Sequence, residues 1–421
     1  MEHRLTTLPS GVRIVTEAMP SVRSVALGYF IGTGSRAETD GQAGLSHLLE
    51  HLLFKGSDRY ASEEIDQLFD AMGAEINAGT GKESTSVYSR VIDDHVEQAV
   101  DVMSDMVWRP ALRDVDSERE VILEEIAMYE DDPQDKVFDV LGEAVFGSDP
   151  LGRAIIGRAD VVAGTPRDDI AAFHDARYVP GNIVLAAAGS VDHDALVALA
   201  AERMPGASRN GFHPDVGTPE AAATVRFERK DTEQYHVCLG GPGVARDDDR
   251  RFALRVLDAL FGGTSSSRLF QEVREKRGLA YAVHSFLSHY AGAGQVGIYL
   301  GTRADNLAEA VRVVAAELDR LRRDPASDGE LARAKDNLKG RLVLSLESTG
   351  ARMNRLGSSL LAGVPILSLD ESVERIERVT LGDIAALAGE LWAPERLSAA
   401  GIGGDEELFR RALEPLAVPA A

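Results

Sequence analysis

RVIDDHVEQAVDVMSDMV at residues 90–107 and YLGTRADNLAEAVRVVAAEL at 299–318 carry one pattern twice: a strand, a turn, then an amphipathic helix. Asp94 answers to Asp305, an offset of 211 residues. A second pair of blocks keeps nearly the same step. DDIAAFHDARYVPGNIVLAAAGSVD (168–192) resembles GDIAALAGELWAPERLSAAGIGG (382–404), with Ile170 opposite Ile384, 214 residues on. Steady offsets across separate blocks indicate duplication of a whole domain, because solenoid repeats run only about 20–50 residues. Between the copies, MPGASRNGFHPDVGTPEAAA (204–223) is rich in Pro, Gly and Ala and lacks apolar periodicity. It predicts a linker over 205–223, joining a first domain (1–204) to a second (224–421). Apolar strands such as SVALGYFIGTG (24–34) and NIVLAAAGSV (182–191) mix with helical runs at 94–107 and 193–204. The expected fold class is α+β: two homologous α/β-sandwich half-units from an internal duplication, arranged as a clamshell.

Composition narrows the function classes. Of 421 residues, 44% are hydrophobic and 27% charged, ordinary for a soluble globular protein. No stretch approaches the roughly 18 uninterrupted apolar residues that a membrane span needs, so no membrane partner is expected. The formal net charge of −23 repels phosphate backbones and argues against nucleic acid, while it suits basic peptides. The single cysteine, Cys238, excludes an intrachain disulfide and a thiolate zinc site. It lies in the apolar run YHVCLGG, where a buried inert thiol is expected. MEHRLTTLPSGVRIVTEAMP reads neither as a secretory signal nor as an organelle presequence, so a cytoplasmic location is the expectation.

Chemistry concentrates at residues 45–55, LSHLLEHLLFK, a helical run without Gly or Pro. His47 and His51 are four apart and emerge one turn apart on one face. Glu50 falls about 60° to the other side of His47 at roughly 100° per residue. Two imidazoles so spaced can bind one Zn²⁺, and the adjacent carboxylate can reach a metal-bound water. The pattern is the His-x-x-Glu-His form of the inverzincins. A catalytic site needs a third protein ligand and an open fourth position. VDSEREVILEEIAMYEDDP (115–133) offers carboxylates on a helix expected to bury Val121, Ile122 and Ile126. Glu118 and Glu125, two turns apart, lie within about 20° of each other, whereas Glu124 points about 100° from Glu125. From spacing alone Glu125 is one choice among several acids, and a solvated acidic helix face is the other reading.

GLSHLLEHLLFKGSDRY (44–60), NAGTGKESTSVYSRV (77–91), SEREVILEEI (117–126) and SRLFQEVREKRGLAYAVHS (267–285) together resemble the pitrilysin, or insulinase-type, family of zinc metallopeptidases. The likeness extends over both halves and is strongest to the processing peptidase β-subunit and its short-chain bacterial relatives. The resemblance implies one Zn²⁺ per chain held by His47, His51 and Glu125. It also implies Glu50 as general base and Glu118 as an accessory carboxylate behind the ligands. Arg274 and Tyr281 in the second half would contact substrate, and Phe54 would line the pocket just past the cleaved bond. Substrate is expected to add as a strand against an edge around Asn77, Ala78 and Thr80, because backbone pairing accepts many sequences. The second-half copy of the zinc helix, ALRVLDALFGG (253–263), has no His, so one active site per chain is expected.

The function expected is a zinc metalloendopeptidase hydrolysing unfolded peptides in an enclosed chamber. Its partners would be peptide substrates and a second chain, as a homodimer or as a heterodimer with a metal-free paralogue. The alternatives are a catalytically silent subunit and a peptide-binding protein of the same fold. Glu50 separates them, since a purely structural zinc site closes its fourth position and needs no base.

Overall fold

Alternating apolar residues on two strands explain the first half. In the computed structural model, which describes residues 3–204, 217–220 and 223–418, six strands form one sheet. They are β1 (His3–Thr7), β2 (Arg13–Ala18), β3 (Ser24–Ile31), β4 (Glu75–Thr80), β5 (Thr85–Ile92) and β6 (Ile183–Gly189), ordered β1-β2-β6-β3-β5-β4. Every pair is antiparallel except β2 with β6. Successive side chains of a strand face opposite sides. Val25, Leu27, Tyr29, Ile31, Ile183, Leu185 and Ala187 accordingly enter one buried core, with Leu48, Leu49 and Leu52 of the Leu45–Leu53 helix. Ala26, Phe30, Val184, Ala186 and Ala188 enter another on the opposite face. Both faces are apolar, so both need a cover.

The second cover comes from far along the chain. The Thr349–Leu361 helix lays Met353 and Leu356 on that face. A Cβ at Gly28 would collide with Met353, and one at Gly357 with the Phe30 ring, so two glycines permit the close approach. Glu17, only 1% exposed, accepts from Arg355 at 2.6 Å and also from Arg352, which fixes the helix electrostatically.

The second sheet repeats the plan. Its strands are β7 (Val225–Arg229), β8 (Tyr235–Pro242), β9 (Ala282–Tyr290), β10 (Ala293–Thr302) and β11 (Ser398–Gly403), ordered β7-β11-β8-β10-β9. Again one pair, β7 with β11, is parallel. Strand for strand this matches β2-β6-β3-β5-β4, the topological counterpart of the sequence repeat. One of its faces is covered by Val137, Val140, Leu141 and Val145 of the Pro133–Phe146 helix, packed on Cys238, Tyr299, Ala400 and Ile402. Cys238 is buried and its thiol pKa is pushed up by burial, as expected for an inert side chain.

The two compact units are therefore not the continuous halves 1–204 and 224–421. Residues 127–153 pack with the second unit and 343–368 with the first. The physical reason is reciprocal: each sheet has a bare apolar face, and each half of the chain supplies the other's covering helix. Most of the expected 205–223 linker, residues 205–216 and 221–222, lies outside the described residues. Among the described residues, no helix is long and apolar enough to cross a membrane.

Candidate metal centre

The site belongs wholly to the first unit. Leu45, Leu48, Leu49, Leu52 and Leu53 are buried, a spacing that gives the helix one apolar stripe and leaves His47, Glu50 and His51 on its other side. Its start is held by an acid the sequence reading did not single out. The buried Glu38 accepts from the Gly44 amide at 2.9 Å and the Ser46 amide at 2.6 Å, satisfying N–H groups that a helix leaves unpaired. Gly44 has φ of +103°, and a Cβ there would sit 2.9 Å from the Ile156 carbonyl oxygen. Only glycine suits that entry.

The Val115–Asp131 helix buries Val115, Glu118, Ile122 and Ile126. Val121, expected on the buried side, is instead 49% exposed. It falls about 100° from Ile122, on the flank that carries Glu125, while Val115 fills the core position. Glu125 Oε2 lies 3.7 Å from His47 Nε2 and 3.6 Å from His51 Nε2. Ligand atoms of tetrahedral zinc, with bonds of about 2.0–2.1 Å, stand roughly 3.4 Å apart, so a cation fits between these three with small adjustments. The imidazoles meet edge to face, centroids 4.7 Å apart. Among the described residues this is the one group of three or more such donors, all within 4.8 Å of one another. Glu124 is exposed and stays outside it.

Electrostatics prepare the donors. Burial, helped by His51, pushes the His47 pKa down to about 4, so near neutral pH the ring is uncharged, the form that ligates metal. His47 Nδ1 is buried without a hydrogen-bond partner among the described residues. Nε2, which faces Glu125 Oε2, is the ring atom that a cation would take. Behind His51, Nδ1 faces Glu118 Oε2 at 3.3 Å, and Glu118 is 5% exposed. Burial raises the Glu50 pKa, opposed by a hydrogen bond that Thr80 Oγ1 donates to its Oε2. Thr80 was expected to touch substrate; here its hydroxyl holds the carboxylate.

The remaining expected residues fall on two units. Asn77, Ala78 and Thr80 lie on β4, the end strand of its sheet, whose outer edge has no strand partner among the described residues. The Ala78 amide donates to Asn77 Oδ1 at 2.8 Å, so a peptide pairing there must displace that side chain. Phe54 is partly buried against the first core, its carbonyl accepting from Ser62 Oγ at 2.7 Å. In the second unit, Arg274 donates to the Tyr281 carbonyl at 3.0 Å, its guanidinium 4.3 Å from the Tyr281 ring and 4.8 Å from that of Phe270. Tyr281 is 77% exposed. A π-helical turn, Phe270–Glu275, presents Arg274 to both rings, and the sequence reading missed Phe270.

The counterpart helix, Arg251–Phe261, carries no His. Matching Phe261 to Phe54 puts Asp258 where the first copy has His51. Asp258 accepts from Ser285 Oγ at 2.5 Å, yet burial dominates and pushes its pKa from 3.8 up to about 6. The fold prefers the neutral acid, so this stabilisation is complete below pH 3.8 and lost as pH rises through about 6. A rise from 3.8 to about 6 corresponds to about 3 kcal/mol. Asp258→Asn, which still accepts from Ser285, should therefore raise the thermal midpoint at pH 8 and leave it almost unchanged near pH 4. An equal shift at both pH values would contradict the assignment.

Residues 13–159 match the family model described as insulinase (peptidase family M16), and residues 165–338 match that of the peptidase M16 inactive domain. The chain is 45% identical over 398 residues to an uncharacterized zinc protease of Streptomyces coelicolor, covering 92% of this chain and 87% of that one. It is 38% identical over 391 residues to one of Bacillus subtilis, covering 92% and 95%. Among solved structures, a Helicobacter pylori protease superposes with a TM-score of 0.89 at 20% identity, covering 96% of this chain and 99% of that one. A Pseudomonas fluorescens peptidase M16 inactive domain gives 0.90 at 22% identity, covering 96% and 98%. At those identities the likeness is one of fold.

Proposed function

This chain belongs to the pitrilysin/insulinase family of peptidases, family M16, and from that premise we propose that it is a zinc-dependent endopeptidase acting on unfolded peptides. The carrying observation is the convergence of His47 Nε2, His51 Nε2 and Glu125 Oε2 beside a half-buried Glu50. A bound Zn²⁺ supplies Lewis-acid polarisation of the scissile carbonyl and lowers the pKa of its water towards about 7.

The chain's own groups do the rest. Glu50 takes the proton of the attacking water; its burial lifts its proton affinity towards what a base working near neutral pH needs. Thr80 holds one Glu50 oxygen, leaving the other to the water and then to the leaving amine. The free edge of β4 pairs with the peptide backbone once Asn77 releases the Ala78 amide. Arg274 and Tyr281, locked together on the second unit, offer a guanidinium and a phenol O–H that suit the carbonyl groups of a bound peptide. Phe54 lines the pocket just past the cut. The chain works in the cytoplasm, with a second chain, identical or metal-free, as its partner.

Metal analysis of the purified chain with a peptide-library digest read by mass spectrometry tests this. One Zn²⁺ per chain and cleavage abolished by chelator are expected, with basic peptides cut faster at low salt given the charge of −23. Stoichiometric zinc without any cleavage would favour the silent or peptide-binding alternative. No zinc would end the proposal.

A further inference from the structure

The bonding behind His51 continues past Glu118. Glu118 Oε2 faces His51 Nδ1 at 3.3 Å, while its Oε1 lies 2.7 Å from Lys55 Nζ. Lys55 comes one turn after His51, just beyond the end of the helix, where its amide donates to the Leu52 carbonyl at 3.2 Å. Gly56 then turns the chain with φ of +96°; a Cβ there would sit 3.0 Å from the Tyr60 carbonyl oxygen. The Gly56 carbonyl accepts from the Ala111 amide at 3.0 Å. That bond ties the turn bearing Lys55 to the segment leading into the Glu118 helix, so both ends of the ion pair share one anchored backbone.

We propose that Lys55 is a positioning residue for the metal site, holding one oxygen of Glu118 so that the other receives the Nδ1–H of His51 and turns Nε2 towards the cation. The proposal rests on the zinc-peptidase reading above. Lys55 acts through the carboxylate. A carboxylate that has lost its ammonium partner rotates and accepts from other donors, and the ring it orients loses both its tautomer and its aim. Partners of this kind change metal affinity about 10–100-fold. An ammonium at this place also suits the C-terminal end of the helix, where the backbone carbonyls are unpaired.

The test uses the full chain as wild type, Lys55→Met, Lys55→Gln, Lys55→Arg, Glu118→Gln and the double variant Lys55→Met/Glu118→Gln. Three quantities are read: the rate of Zn²⁺ transfer to a chelating dye, the visible spectrum of the Co²⁺-loaded protein, and the thermal midpoint of the metal-free protein. Lys55→Met should release Zn²⁺ about 10–100-fold faster and change the Co²⁺ bands. Lys55→Arg should restore most of the retention, and Lys55→Met should add little once Glu118 is Gln. Lys55→Gln serves if the Met variant fails to fold. A purely structural role would lower the metal-free midpoint and leave release rate and spectrum unchanged, which overturns the proposal. So does an undiminished effect in the Glu118→Gln background. Wild-type protein that binds neither metal sinks the zinc-peptidase reading itself, whereas wild type that binds and cleaves while the Lys55 variants behave identically sinks only this one.

Discussion

Glu50→Gln should keep the full complement of zinc while kcat/KM for a quenched fluorescent peptide falls by about 10²–10⁴-fold, the range a positioned general base supplies. Gln has nearly the same shape as Glu and retains an oxygen for the Thr80 hydroxyl, so the donor cluster stays undisturbed. What it loses is the ability to take a proton. Zinc content per chain and peptide turnover, measured on the same preparation, separate loss of the base from loss of the metal. Retention of more than about a tenth of the turnover would remove Glu50 from the base role, since a misplaced spectator contributes less than the lower bound.

Glu125→Ala should strip the metal. Structural zinc sites with four ligands bind with about 10–16 kcal/mol, or roughly 3 kcal/mol per ligand, so one lost ligand weakens binding by about two orders of magnitude. The Glu125 side chain is 47% exposed, so the substitution opens no cavity and the metal-free thermal midpoint should stay where it is. Zinc should be lost on dialysis against a weak chelator that leaves wild type loaded. A fully loaded variant would move the third ligand to another acid.

Much of the site was legible because it is local. The heptad-spaced Glu118 and Glu125 and the four-spaced His47 and His51 depend only on helical periodicity, and both helices form where that periodicity lies. Val121 shows the limit: four apolar residues in six do not say which belong to the core until the neighbour is present. Thr80 shows another, since a residue expected on a substrate edge donates to Glu50 across 30 residues of chain. Phe270, Glu38 and Lys55 carried no signal that spacing could reveal, because an aromatic, an acid and a lysine are common at partly exposed positions.

By itself the sequence determined that the chain is one α/β plan used twice, that only the first copy can carry paired histidines, and that Glu50 stands beside them. Those facts are written in repeats and in spacings shorter than two helical turns, where backbone geometry converts position into direction. The resemblance pointed to Glu125 and tertiary structure brought it to the rings; tertiary structure alone decided that Glu118 links His51 to Lys55 and that Glu17 meets Arg355 across 338 residues. It also decided that each sheet borrows its covering helix from the other half. Such contacts satisfy bare apolar faces and buried charges wherever the chain can supply a partner, and a need of that kind has no fixed distance along the sequence.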